Sequence, residues 1–133
     1  MLLPRPAYAI ILAGVNDIFG GQGAESVERH LAAMYADVLD AGVVPVAATV
    51  LPYNSATARA SGEILSLNAW IENLTKVLGI PFCDTHAAVA DPADSNRLKG
   101  TPDGLHPDVA GYRAMGEVLA RTIEDHLRRS APR

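Results

Sequence analysis

The chain has 133 residues, 49% of them hydrophobic and 20% charged, which suits one globular domain with an ordinary buried core, read here as residues 1–133. Its 15 acidic and 11 basic side chains leave a formal charge of −4 with no basic stripe, so a nucleic-acid binder is excluded as the leading class. A single cysteine, Cys83, rules out an intrachain disulfide, and no apolar stretch approaches the length of a membrane span.

Met1-Leu2-Leu3-Pro4-Arg5-Pro6 is not a signal peptide, because no charged region precedes a long apolar core. The sequence as given therefore reads as cytoplasmic, with a signal on a longer, secreted parent left open. Tyr8 to Val15 is apolar without alternation, the pattern of a strand buried on both faces. Gly20, Gly21 and Gly23 break the chain. A helix follows from about Glu25 to Ala41, with Val27, Leu31, Met34, Val38 and Leu39 as its apolar stripe and Gly42 at its end.

Val43 to Leu51 is a second strand, closed by Pro52. After the polar loop Tyr53–Ala60, a helix from about Gly62 to Leu78 buries Ile64, Leu67, Ile71, Leu74 and Leu78, with Ser61 as its N-cap. Ile80 to Cys83 is a short third strand, and its cysteine reads as a small buried hydrophobe. Asp84 to Thr101 is mostly loop. The last helix starts near Pro107 and turns Val109, Tyr112, Met115, Leu119 and Ile123 inward. Arg128, Arg129 and Arg133 form a solvated, dipole-compatible end. Strands joined by helices in this rhythm predict an α/β fold, a parallel sheet with helices on both faces.

In such sheets, sites gather beyond the carboxyl ends of the strands. Gly14-Val15-Asn16-Asp17, Asn54-Ser55 and Asp84 all lie there. Asp103-Gly104-Leu105-His106-Pro107 sets a carboxylate and an imidazole three residues apart at a loop-to-helix junction. A fold of that loop can bring the carboxylate to one ring nitrogen and leave the other to accept a proton from a hydroxyl. Each segment also has a structural reading: Asn16-Asp17 as a turn, Asp103 as a capping acid, His106 as a helix-entry residue. His30 and His126 read as exposed helix residues, and His86 as a weak rival to His106. No two histidines or cysteines stand at metal-ligand spacing, so no cofactor or metal is expected.

Together, these blocks resemble the SGNH (GDSL-type) hydrolases. Gly14-Val15-Asn16-Asp17 is similar to their third block, Asp103-Gly104-Leu105-His106-Pro107-Asp108 with Gly111-Tyr112 to their fifth, and Leu67-Asn68-Ala69-Trp70-Ile71 to the helix between. The resemblance implies a flavodoxin-like three-layer α/β/α fold, truncated at its N-terminal side to about three strands. It implies His106 as general base, Asp103 as its orienting acid, Asn16 as oxyanion donor and Gly14 as a setter of loop geometry, with Asp17 bracing the loop. The family's Gly-Asp-Ser block, which bears the nucleophile, and its glycine block do not occur. Among the other serines, Ser26, Ser66 and Ser130 fall in or after helices, Ser95 lies in the Asp84–Thr101 loop, and Ser55 is the best substitute nucleophile, though a surface turn explains it better.

Two functions follow as expectations. One is a serine ester hydrolase of esterase, lipase or acylhydrolase type acting on small carboxylic or acetyl esters, here lacking its nucleophile segment. The other is a non-catalytic relic that binds a partner or a small acyl ligand. The loops Tyr53–Ala60 and Ala87–Gly100 are expected to line the site; small and polar, they favour short acyl groups. Without the family's first strands, Tyr8–Val15 becomes an unprotected sheet edge with one face thinly covered, so a homo-oligomer through that edge is expected.

Overall fold

The computed structural model describes residues 4–131; Met1 to Leu3, Pro132 and Arg133 lie outside the described residues. Three strands, β1 (Tyr8–Ile11), β2 (Val44–Ala48) and β3 (Phe82–Cys83), form a parallel sheet in the order β1-β2-β3. The helices between them are α1 (Val15–Phe19), α2 (Ala24–Asp40) and α3 (Ala58–Leu78); α4 (Thr85–Val89) and α5 (Val109–Ser130) follow β3. No helix among the described residues is long and apolar enough to cross a membrane.

The sheet sorts its side chains by the period-two rule. Ile11 and Ala47 join the main core with Val27, Leu31 and Tyr35 of α2 and Ile64, Leu67 and Ile71 of α3. On the other side α5 packs against α4 and β3, and Met115 forms a small cluster with Val89 and Leu98. Tyr8 of β1 reaches that side too, its hydroxyl 2.7 Å from Nδ1 of His126 on α5. His126 is thus half-buried rather than exposed; His30 is exposed.

Several boundaries differ from the sequence reading. The first strand ends at Ile11, and Val15 begins a helix, because Gly14 turns the chain at φ 120 and starts α1. A Cβ on Gly14 would stand 2.8 Å from Cγ1 of Val27, so strand and helix meet there only over a glycine. Helix α3 begins a turn earlier than expected. Thr57, not Ser61, is its N-cap: the Thr57 hydroxyl accepts the Ala60 N–H at 3.1 Å, and Ser61 lies within the helix. On α2 the inward position belongs to Tyr35, fully buried, whereas Met34 and Leu39 are exposed; the true stripe follows 27, 31 and 35.

The segment Asp84–Thr101 is more ordered than a loop. It holds α4 and an antiparallel hairpin of β4 (Ala90–Asp91) and β5 (Asp94–Leu98). Its Asp, Asn and Pro residues serve turns and caps: the Asp84 carboxylate accepts from the Ala87 N–H and the Thr49 hydroxyl, both at 3.0 Å. Helix α5 starts two residues after Pro107, capped by Asp108. Val109 and Tyr112 are exposed and only Met115 of the expected stripe is fully buried.

Candidate active site

The loop entering α5 is folded around Asp103. Its Oδ1 accepts the backbone N–H groups of Leu105 (2.9 Å) and His106 (2.8 Å), and its Oδ2 lies 2.6 Å from Nδ1 of His106. The hydrogen bond from the ring comes first, and the two backbone donors next, in holding the Asp103 carboxyl well below the usual carboxylate range. An ionised carboxylate only accepts, so the proton shared between them sits on Nδ1 and the lone pair of the neutral ring on Nε2. Both side chains are open to water, the imidazole 60% exposed and the carboxylate 49%.

Two residues hold this loop: Thr101, which the sequence reading did not single out, and Asn54, which it placed at the carboxyl end of a strand without a role. The Thr101 hydroxyl donates to the His106 carbonyl (2.6 Å) and accepts the Gly104 N–H (2.8 Å). Asn54 donates its backbone N–H to the Gly104 carbonyl (2.7 Å), and its side-chain oxygen accepts the Leu98 N–H (2.9 Å). Gly104 has φ +80, a left-handed conformation that suits a glycine in so tight a turn. Asn68, named in the sequence only as part of the family-like helix, clamps Val50 through both backbone groups, at 2.7 and 2.9 Å. Its visible signal is an amide placed beside the apolar stripe of α3.

A cavity of about 190 Å³ opens between the end of β1 and the start of α5. Asn16 and His106 both line it, at the carboxyl end of the sheet. Leu12, Leu51, Leu105, Tyr112 and Met115 supply apolar walls. Asn16 is exposed in the first turn of α1, beside Asp17, whose backbone carbonyl accepts the Gln22 N–H at 2.9 Å. Gly14 stands buried just before them. The structure thus brings Asp103, His106, Asn16 and Gly14 to one end of the sheet.

Ser55 is not among them. It is an exposed turn residue lining a separate depression of about 230 Å³ with Phe19, Tyr53 and Glu63. Nor do the loops Tyr53–Ala60 and Ala87–Gly100 line the His106 cavity, contrary to the sequence reading. Their polar groups are committed elsewhere, Asn54 to Leu98 and Gly104, Asp91 and Asp94 to the turn of the hairpin. His86 is buried with its Nε2 unpartnered and its backbone N–H on the Thr49 hydroxyl (2.9 Å), away from this cavity. Cys83 is buried, and burial pushes its thiol up. A larger depression, about 550 Å³, lies at the opposite end of the sheet, lined in part by Asp125 and His126; Asp125 pairs with Arg128 and the His126 ring with the Tyr8 hydroxyl, not with each other.

A family model described as GDSL-like lipase/acylhydrolase matches residues 2–114. Among solved structures, the chain is similar to a GDSL-like lipase from Bacteroides thetaiotaomicron, at 29% identity and TM-score 0.81, covering 92% of this chain and 64% of that one. It is similar to a proposed acylhydrolase from Bacteroides fragilis at 25% identity and TM-score 0.78, covering 92% and 63%. Its fold is also that of a catalytic mutant of an acetylxylan esterase from Geobacillus stearothermophilus, at 17% identity and TM-score 0.69, covering 88% and 59%. The chain spans less than two thirds of the length of these solved relatives. No curated protein matches it.

Proposed function

Since this chain belongs to the GDSL-like lipase/acylhydrolase family, we propose that it is the base-bearing part of a serine ester hydrolase acting on small carboxylic or acetyl esters. In this reading His106 takes the proton of an attacking serine hydroxyl through Nε2 and later returns it to the leaving alcohol. Asp103 keeps the ring in the required tautomer and steadies the imidazolium. The Asn16 carboxamide, a neutral donor that cannot compete as a base, donates to the oxyanion; one such donor is worth about 3–4 kcal/mol of barrier. Gly14 lets the chain turn from β1 into the helix that presents Asn16.

The observation that carries the reading is the 2.6 Å contact between Asp103 and His106 at a cavity shared with Asn16. The 133 residues contain no Gly-Asp-Ser, and Ser55 lines another depression, so the serine of this proposal belongs to polypeptide other than the given sequence.

The test begins with the DNA upstream of Met1, where an in-frame Gly-Asp-Ser is expected. A protein extended through it should hydrolyse p-nitrophenyl acetate and lose on the order of 10³-fold or more in kcat on His106→Ala. An extended protein whose activity survives that substitution overturns the assignment. Absence of any such segment favours the non-catalytic alternative, a relic that binds a partner or a small acyl ligand.

A further inference from the structure

We propose that His106 of this chain is itself an acyl acceptor: its Nε2 attacks aryl esters of short acids bound in the cavity beside Asn16, forming an acyl-imidazole that water then hydrolyses. This inference shares its residues with the hydrolase reading but does not use its serine.

Four observations converge on it. The imidazole is 60% exposed, and its Nδ1 is engaged at 2.6 Å by a carboxylate, so Nε2 carries the lone pair and has no hydrogen-bond partner among the described residues. The ring does not swing freely, because Asp103 is anchored by two backbone N–H groups and Thr101 holds the His106 carbonyl. The adjoining cavity of about 190 Å³ has apolar walls, including Leu12, Tyr112 and Met115, that suit an aryl or short acyl group, and Asn16 at its edge is a donor for the carbonyl oxygen. Among the described residues that line the cavity there is no serine, threonine or cysteine, and the imidazole is the strongest nucleophile of this set.

The chemistry balances without a further reagent. The Nε2 lone pair forms a bond to the acyl carbon while the carbonyl pair moves to oxygen, within reach of the Asn16 amide. Collapse breaks the bond to the aryl oxygen, and aryloxide leaves with the pair. The acylated ring, briefly cationic, gives up its Nδ1 proton by way of Asp103 to solvent. Water then adds to the acyl carbon, imidazole is expelled, and the carboxylic acid is released, so that ester and water become acid and phenol. Imidazole is a better leaving group than an alkoxide, so alkyl esters fall back to reactants. The substrate class is therefore esters with acidic leaving groups.

The experiment uses the 133-residue chain with p-nitrophenyl acetate. A burst of p-nitrophenolate is expected, together with an acetyl-sized mass increase on the peptide holding His106 after acid quench. His106→Ala should remove both, and Asp103→Asn should slow the burst about tenfold to hundredfold by freeing the wrong tautomer. Asn16→Ala, which leaves the dyad intact, should slow acylation as well. His106-dependent turnover with no acetyl on the peptide and a large solvent deuterium isotope effect would overturn this inference while leaving His106 as the general base of the hydrolase reading. Turnover that survives His106→Ala, or acetyl on Ser55, would overturn it and count against that reading too. No turnover above background would overturn the inference alone, since the extended protein judges the other.

Discussion

His86 is a buried titratable group that the site does not use. It is 7% exposed, its Nε2 has no partner, and burial holds its imidazole below the ordinary histidine range, with Asp84 acting more weakly in the opposite sense. In the unfolded chain the same ring takes up a proton near its usual pKa of about 6.5. Between that value and the lower folded one, the unfolded state binds more protons, so stability is complete above this range and falls as the pH falls through it. The loss cannot exceed about 1.4 kcal/mol per pH unit for one group. Urea midpoints measured from neutral pH downward should decline with this slope, and His86→Leu should flatten it. An unchanged slope in that variant would show that another group controls acid stability. His106 differs from His86 in the sequence by a carboxylate three residues before it rather than two, and by lying in the block that resembles the family; the resemblance, not the spacing alone, singled it out.

Among the connections between elements, the amide of Asn68 is the most exacting. It satisfies both backbone groups of Val50, where β2 runs out toward the cavity and cannot use the ladder. Replacing it with leucine keeps much of the volume but strands a donor and an acceptor, at about 2–4 kcal/mol. Asn68→Leu is therefore expected to lower the urea midpoint with an unchanged m-value. A loss under about 0.5 kcal/mol would mean that water replaces the clamp. The two main helices are linked in a similar way, since Glu63 of α3 accepts the Ala24 N–H that opens α2, at 2.8 Å. Such caps explain why boundaries were misread by a few residues: Gly23 offers no side-chain cap, and the carboxylate that serves instead is 39 positions from Ala24.

For the whole molecule, the exposed edge of β1 has the clearest consequence. The Val44 N–H bonds the Ala7 carbonyl, so the backbone groups of Tyr8 and Ile10 point away from β2. On the α5 side of the sheet Ile10 is 49% exposed and Leu12 39%, whereas Ile11 on the other face is 6% exposed. We propose that a second copy of the 133-residue chain pairs with this edge about a two-fold axis at Ala9, Tyr8 of one copy opposite Ile10 of the other, in an antiparallel join that would make a six-stranded sheet. With only four residues in β1, the buried area stays below about 1,200 Å², the class of weak contacts. Sedimentation should show a dimer that dissociates in the micromolar range or above, and Ile10→Lys should hold the chain monomeric without unfolding it. A monomer at high micromolar concentration would refute the pairing.

The sequence by itself determined the α/β class, the three parallel strands and the two long helices between them, and, through its resemblance to a family, pointed to the Asp103–His106 pair. Those features rest on local periodicity and on residues close in the chain, where composition dictates the conformation. Tertiary structure alone decided that Asn16 and His106, 90 positions apart, line one cavity, and that Ser55 lies outside it. It also decided that Tyr35 rather than Met34 faces the core, and that the segment after β3 folds into a helix and hairpin instead of a loop. Those outcomes depend on partners distant in sequence, Leu98 for Asn54 and Thr49 for Asp84, whose hydrogen bonds exist only once the sheet has been assembled.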